Sequence, residues 1–254
     1  MSAVKNIDVR RLVFDPEDMA AILENVIVEK HGSHNQKTHG GKGGGGESSN
    51  TTDNYREIVD ETERTEFQSY QLQDKRFMET AYREYGSVEK TEAYQALDHY
   101  KSYGYGTINH KLRTGEVEPS QKEAVAGYIK EIDGAMKVAP GLPEPITTFR
   151  SIRQGNSSAI DESFSSLEVG DTWVDKGFSS TSLDKVVATS KYSSTDWIIE
   201  VKNPIGTKGI MLDGLKMKAG FASWESEWLL PRGSTFEVLN INTGERTMTV
   251  KVSQ

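Results

Sequence analysis

The order of the local patterns along the chain constrains its fold more than any other sequence feature. Helix-forming patterns run from Asn54 to Ala139, and strand patterns separated by Gly, Pro and Asp turns follow from Pro143 onward. Alternating helices and strands would indicate a wound parallel sheet, whereas helices followed by strands favour an α+β fold. We therefore predict an α+β domain with a helical part first and a sheet second.

Particular residues predict where the helices of the first half begin and end. One helical stretch runs to Gly86, and a shorter one closes at Gly115, since glycine commonly ends helices. Ser120 and Glu123 have the spacing of a capping box, which predicts a helix start at Ser120.

A tract with almost no apolar residues, residues 30–50, marks a boundary near the N-terminus. Its glycines, Gly41 and Gly43–Gly46, are typical of a flexible linker. A short helix is predicted before it, with Asp15 as cap, and its apolar stripe must dock on another surface. We divide the chain into an N-terminal helix with a His/Gly-rich tail and linker, residues 1–50, and a folded domain, residues 51–254.

Composition and charge exclude several classes of function. The chain has 254 residues, no cysteine and a net charge of −8. Cysteine-based metal or thiolate chemistry is therefore excluded, and strong nonspecific binding to nucleic acid or anionic lipid is not expected. No apolar run reaches the ~18 residues of a membrane span, and the first residues lack the apolar stretch of a secretory signal.

Two glutamates on one predicted strand form a candidate functional site. Glu225 and Glu227 lie between Trp224 and the run Trp228–Leu230. On a strand they would share one face, about 7 Å apart, where like charges repel. A solvated strand face is the simpler explanation, but paired carboxylates in apolar surroundings cluster at functional sites.

Two earlier strands carry polar residues that are ambiguous when taken alone. Arg150 closes the strand "ITTFR". An arginine at a strand end more often forms a surface ion pair than a site, but its guanidinium can also clamp a phosphate through two hydrogen bonds. The strand "GFSSTS" contains Ser180, which fits either an exposed edge or a hydroxyl that orients a carboxylate.

Taken in order, these three motifs resemble the Arg, Ser-Thr-Ser, Glu-x-Glu signature of mono-ADP-ribosyltransferases. The upstream segment "YKSYGYGTINHKLRTG" is similar to the one that exoenzyme toxins of this family place over NAD. Its residues at the matching positions are Tyr100, Tyr105, Asn109 and Arg113. The resemblance covers about residues 54–254 and implies a split antiparallel β-sandwich of the ADP-ribosyltransferase type behind the helical part.

The resemblance implies transfer of ADP-ribose from NAD, as substrate, to an acceptor, with release of nicotinamide and no metal. Glu227 would reach the nicotinamide ribose hydroxyl and stabilise positive charge on the ribose, with Ser180 holding it in place. Arg150 would clamp the pyrophosphate. Asn109 and Arg113 would contact the adenosine side of NAD. Tyr100 and Tyr105 would pack against the dinucleotide.

Glu225 implies an arginine acceptor, because glutamate at that position accompanies arginine modification in this family. A carboxylate there can orient the guanidinium and take its proton. The chain departs from many of the toxins at Ser151, where they carry a second arginine, and Arg153 is the candidate substitute. The aromatic residue of the acceptor-recognition loop is Phe221 or Trp224.

The segment "KHGSHNQKTHGGKG" is also similar to a short element of tailed-phage head and portal-associated proteins. That resemblance implies a phage-encoded effector, in the virion or the host cytoplasm, with a phage head or portal partner bound through residues 1–50 and a host protein as acceptor. A disordered basic tail explains its three histidines better than a metal site does. Open alternatives are an NAD glycohydrolase toxin, a virion structural protein with an inactive transferase domain, and transfer to RNA or another side chain.

Overall fold

The computed structural model describes residues 54–81, 91–152, 163–189, 196–215 and 225–254. The predicted helix and linker of residues 1–50 lie outside these ranges, as do Arg153, Phe221 and Trp224. The helices before the sheet are α1 (Glu61–Leu72), α2 (Lys75–Ala81), α3 (Glu92–His99), α4 (Tyr105–Thr114) and α5 (Lys122–Val138). None of the helices in the described ranges is both long and apolar enough to cross a membrane.

The helix boundaries follow from local caps and differ in part from the predictions. Gly115 ends α4 in the left-handed conformation at φ 83°, as predicted. The first predicted stretch is divided, because α1 ends at Leu72 and Asp74 caps the next helix by accepting from Phe77 N at 2.7 Å. The capping box at Ser120 was wrong: Pro119–Gln121 forms a 3-10 turn, and α5 begins at Lys122 with no side-chain cap.

A π-helical turn, Tyr100–Gly104, joins α3 to α4 without a break. A π turn inserts one extra residue per turn and is frequent at functional sites. After the strands begin, two further short helices follow, α6 (Lys185–Thr189) and the 3-10 helix Asp213–Leu215.

The strands form one mainly antiparallel sheet in the order β3-β8-β9-β5-β2-β4-β7-β6, with β1 added parallel to β2. They are β1 (Arg56–Glu57), β2 (Ile146–Ile152), β3 (Thr172–Asp175), β4 (Ser179–Ser182), β5 (Trp197–Asn203), β6 (Ile210–Met211), β7 (Glu227–Leu230), β8 (Ser234–Asn242) and β9 (Thr247–Ser253). Strand β2 pairs with β5 along its whole length but with β4 only at Phe149 and Ser182. The sheet is therefore split into two parts that meet at β2, and the α+β prediction is confirmed.

Strand β7 contributes to two hydrophobic cores because its side chains alternate between faces. Trp228 and Leu230 belong to the sheet core, which gathers buried residues of β2, β3, β5, β8 and β9. Leu229 belongs to the helical core, which gathers buried residues of α2, α3, α4 and α5. Glu227 is two residues before Leu229, so its side chain lies on the face that the helices cover.

Candidate active site

The two glutamates lie together, but not in the way that the strand pattern predicted. Strand β7 begins at Glu227, and Ser226 has φ 48°, so Glu225 precedes the strand and the shared-face argument was wrong. Both side chains nevertheless approach one cation: Lys101 Nζ lies 4.0 Å from Glu225 Oε2 and 3.9 Å from Glu227 Oε2. Both glutamates are buried, so the turn at Ser226 replaces strand alternation as the reason for their proximity.

Strand β4 lies beside β7 and supplies hydroxyl groups to it. Ser182 is opposite Glu227 in the register, and its Oγ donates to the Glu225 carbonyl at 2.7 Å. Thr181 Oγ1 donates to the Trp228 carbonyl at 3.0 Å, which adds a side-chain hydrogen bond between β4 and β7. Ser180 is opposite Leu229, one pair further along. The hydroxyl that fixes the backbone of the glutamate pair is therefore Ser182, which sequence reasoning did not single out.

The π turn and α4 bring Tyr100 and Asn109 to the same end of β4. Asn109 Nδ2 donates to the Tyr100 hydroxyl at 3.0 Å and to the Phe178 carbonyl at 3.1 Å, while its Oδ1 accepts from Phe178 N at 2.9 Å. The Tyr100 hydroxyl lies 3.4 Å from Ser180 Oγ. Burial raises the pKa of Tyr100 to about 12, and the nearby charge of Glu227 adds to the rise, so Tyr100 stays a neutral donor at pH 7. Three of the residues predicted from the sequence thus form one hydrogen-bonded group.

Arg113 has a buried carboxylate partner that the sequence did not reveal. Its Nε and Nη2 donate to Asp175 Oδ1 and Oδ2, both at 3.1 Å. Asp175 also accepts from Gly177 N at 2.8 Å and from Ser179 Oγ at 2.6 Å. Burial alone would raise the pKa of Asp175, but the charge and hydrogen bonds of Arg113 outweigh it and lower that pKa. This pair fixes the turn that leads into β4, and contact of Arg113 with adenosine stays a prediction.

Arg150 lies in β2, with only 6% of its surface exposed. Burial lowers the pKa of its guanidinium to about 9; the charge of Asp175 opposes this shift and that of Arg113 contributes to it. Arg150 is therefore still a cation at pH 7, in surroundings where water does little to stabilise it. Such a group favours an anionic ligand with oxygens that can accept two hydrogen bonds.

The other predicted site residues are less constrained by the structure. Tyr105 begins α4 and is partly buried against the helical core. Phe221, like its alternative Trp224, lies outside the described residues, so its role stays a prediction. Ser151, the position where many toxins carry a second arginine, is buried within β2. No cluster of side chains within the described ranges has the composition of a metal site.

Lys101 and Asp213, like Ser182 and Asp175, are residues of the site that sequence reasoning missed. Lys101 is 1% exposed and forms an ion pair with Asp213. A sequence signal did exist, because Lys101 follows Tyr94 and Leu97 at helical spacing on an apolar stripe. Lysine is rarely fully buried unless it is paired, so its position on that stripe indicated a buried acid nearby.

Solved structures of bacterial toxins have a similar fold. Plx2a, an ADP-ribosyltransferase toxin from Paenibacillus larvae, superposes with a TM-score of 0.58 and 18% identity, covering 79% of this chain and 100% of the toxin. The Clostridium limosum C3 exoenzyme gives a TM-score of 0.56 and 19% identity, covering 80% and 98%. C3stau2 from S. aureus, solved with NAD, gives 0.56 and 17%, covering 79% and 99%.

Comparisons at the level of sequence identify the family. A search of curated proteins found no match. The family model for the ADP-ribosyltransferase exoenzyme matches residues 67–253, which is most of the chain and includes every element from α2 to β9. The chain belongs to the ADP-ribosyltransferase exoenzyme family.

Proposed function

We propose that the protein transfers a single ADP-ribose unit from NAD to an arginine of an acceptor protein and releases nicotinamide. The observation that carries the proposal is the convergence of Glu225 and Glu227 on one buried point, beside the hydrogen-bonded group of Tyr100, Asn109 and Ser180. A structural neighbour of this fold, C3stau2, was solved with NAD. Family membership supports the transferase chemistry, and the second glutamate supports the arginine acceptor.

The residues at the dinucleotide end fit the proposed substrate. NAD carries a pyrophosphate, and the buried guanidinium of Arg150 is a cation that such an anion would stabilise. Asn109 is held on both sides by the Phe178 backbone, so its position is set before any ligand arrives. Tyr100 is buried, neutral and in contact with Asn109 and Ser180, and it limits the access of water to the bond that breaks.

The two glutamates have separate tasks in this proposal. When nicotinamide leaves, positive charge develops on the ribose, and the Glu227 carboxylate stabilises that charge through the ribose hydroxyl. Glu225 orients the arginine guanidinium and accepts its proton as the new bond to the ribose carbon forms. Water attacks in place of arginine when no acceptor is bound, and this side reaction does not need Glu225.

The test is incubation of the purified protein with labelled NAD and a host lysate, followed by mass spectrometry of the modified residue. We expect the wild type to transfer the label to arginine. The Glu227→Gln variant should neither transfer the label nor hydrolyse NAD, whereas the Glu225→Gln variant should still hydrolyse NAD but transfer no label. Glu237→Gln, an exposed glutamate on β8, is the matched control and should behave like the wild type. Label released only as free ADP-ribose would support the glycohydrolase alternative, and label on RNA or another side chain would refute arginine specificity.

We further propose that the protein is a phage-borne effector that acts on host proteins in the host cytoplasm. The support is the segment "KHGSHNQKTHGGKG" and its similarity to phage head and portal-associated proteins. Residues 1–50 would then contact a head or portal partner while residues 51–254 carry the activity. The test measures the amount of this protein in purified virions by mass spectrometry, for the wild-type phage and for a phage in which residues 30–40 of the protein are deleted. Equal amounts in the two kinds of virion would refute a packaging role for this segment.

A further inference from the structure

A fully buried lysine lies at the centre of the glutamate pair. Lys101 is in the π-helical turn, and its Nζ forms an ion pair with Asp213 while lying 3.9 Å from Glu227 and 4.0 Å from Glu225. The proposed chemistry uses the two glutamates and assigns nothing to this ammonium group. A lysine buried to this extent is rare unless charged partners require it, so its presence among three carboxylates indicates a task there.

The fold brings the lysine to this place from two directions. The apolar face of α3, which includes Leu97, continues into the π turn, and Lys101 follows Leu97 by four residues, on the same face. From the sheet side, alternation along β7 turns Glu227 toward the same helical core as Leu229. The lysine and the glutamates therefore meet where the helices cover the sheet.

Asp213 ties the lysine to the start of β7. One of its carboxylate oxygens contacts Lys101 Nζ, and the other accepts from the backbone N–H of Glu227 at 3.4 Å. Asp213 begins the 3-10 helix that follows β6, which is paired with β7. The contact of Lys101 with Asp213 thus fixes the position of the ammonium relative to the backbone of Glu227.

Charge explains what the ammonium does at this point. Two carboxylates held close together in buried surroundings repel, and one of them takes up a proton unless a cation lies between them. The charged or titratable groups near Glu227 include Lys101, Asp213, Glu225 and Tyr100. Lys101 Nζ lies within 4.0 Å of a carboxylate oxygen of both glutamates and contacts Asp213. Removing it would take a positive charge from among these three carboxylates.

We propose that Lys101, anchored by Asp213, is a positioning residue that keeps Glu225 and Glu227 charged at the same time and directs both carboxylates to one point. The inference rests on the proposed function, because it concerns the same two glutamates. It deepens that function by naming what allows both acids to act at neutral pH. Lys101 and Asp213 contact neither NAD nor the acceptor in this scheme.

The first test compares pH profiles of NAD hydrolysis and of transfer to the small guanidine agmatine. In Lys101→Met, loss of the cation makes the glutamates harder to ionise, so the acid limb should move up by about 1–3 pH units. In Asp213→Asn, the lysine charge is no longer shared with Asp213, so the acid limb should move down. Lys101→Arg keeps the positive charge and should retain the acid limb of the wild type. The control is Lys122→Met, because Lys122 is exposed on α5, and this variant should have the same pH profiles as the wild type.

If Lys101 had only a structural role, its replacement would lower the rate at every pH and leave the acid limb of each pH profile in place. Unmoved limbs in an active Lys101→Met variant, or shifts of the same sign in Lys101→Met and Asp213→Asn, would overturn the inference. If the wild type transfers label to arginine while the acid limbs of the variants do not move, the inference about Lys101 fails and the proposed function stands. If the wild type consumes no NAD, the proposed function fails, and a second measurement decides about Lys101.

The second measurement is the pH dependence of urea unfolding, which needs no activity. In Lys101→Met the folded state holds a proton on the glutamate pair above the pH at which the unfolded chain releases it. The variant should therefore lose stability relative to the wild type as pH rises from about 5 to 8. Adding Glu225→Gln and Glu227→Gln to Lys101→Met should abolish this dependence. Parallel stability curves for Lys101→Met and the wild type across that range would refute the inference.

Discussion

Replacing Asp175 with asparagine tests how the entrance to β4 is held. The carboxylate of Asp175 accepts two hydrogen bonds from Arg113, one from Gly177 N and one from Ser179 Oγ. Asp175→Asn keeps the shape but removes the negative charge, and it leaves Arg113, which is 3% exposed, as a buried cation without that carboxylate. Breaking a buried ion pair from one side costs about 3–5 kcal/mol of unfolding free energy.

That cost can be expressed as a change in melting temperature. For a chain of this size, 1 kcal/mol corresponds to about 2–4 °C, so the variant should melt roughly 6–20 °C below the wild type. The matched control is Asp133→Asn, because Asp133 forms the same kind of fork with Arg232, at 2.8–3.0 Å, on the surface. An exposed pair contributes about 0–1 kcal/mol, so the control should melt within a few degrees of the wild type.

The assays are urea unfolding and thermal melting followed by circular dichroism. The pKa of Asp175 is lowered in the folded state, so its contribution is present above the ordinary aspartate pKa of about 4 and is lost as pH falls through the lower folded value. The stability gap between wild type and Asp175→Asn should therefore narrow in acid. A double-mutant cycle with Arg113→Met should show strong coupling. A loss no larger than that of Asp133→Asn, or additive single effects, would refute the reasoning.

Three further perturbations follow from the geometry of the site and its surroundings. Gly209→Ala should lower the free energy of unfolding in urea by several kcal/mol, because a Cβ at this position would lie 2.4 Å from the buried Trp228 ring. The control is Gly127→Ala, in an open position of α5, which should raise the free energy of unfolding by about 0.4–1 kcal/mol. NAD affinity, measured by calorimetry, should fall as pH rises through about 9, because the pKa of Arg150 is lowered to about 9 by burial. An affinity that stays constant from pH 7 to 10 would contradict the proposed binding of the pyrophosphate by Arg150. Tyr100→Phe removes the hydroxyl that accepts from Asn109 and should weaken NAD binding by about 0.5–1.5 kcal/mol, with no change if the hydroxyl does not position Asn109.

The sequence predicted the parts of the site whose signals are local. Strand propensity placed Arg150 in β2 and Ser180 in β4, and Gly115 marked the end of α4, because each depends on a few neighbouring residues. The resemblance to the family then brought Tyr100 and Asn109 into the same site, and the structure joins them to Ser180 by hydrogen bonds or close approach.

The unpredicted parts depend on contacts between residues far apart in the chain. Lys101 and Asp213 are separated by 112 positions, and Arg113 and Asp175 by 62, and no local pattern encodes such pairings. The left-handed turn at Ser226 was missed because serine has no strong preference for positive φ and the surrounding residues favour a strand. That turn alone moves Glu225 out of β7, so a strand pattern could identify the glutamate pair but not its geometry.

Strand β7 anchors Trp228 and Leu230 in one core and Leu229 in the other, so it cannot detach while either core remains intact. Its backbone amides should therefore be among the slowest in the chain to exchange with deuterium, and they should exchange only through global unfolding. The residue that begins this strand is Glu227, so the carboxylate that is proposed to stabilise the ribose charge is carried by an element anchored in both cores. Adaptation to different acceptor proteins would then have to come from the surrounding loops and not from the strand that bears the acid.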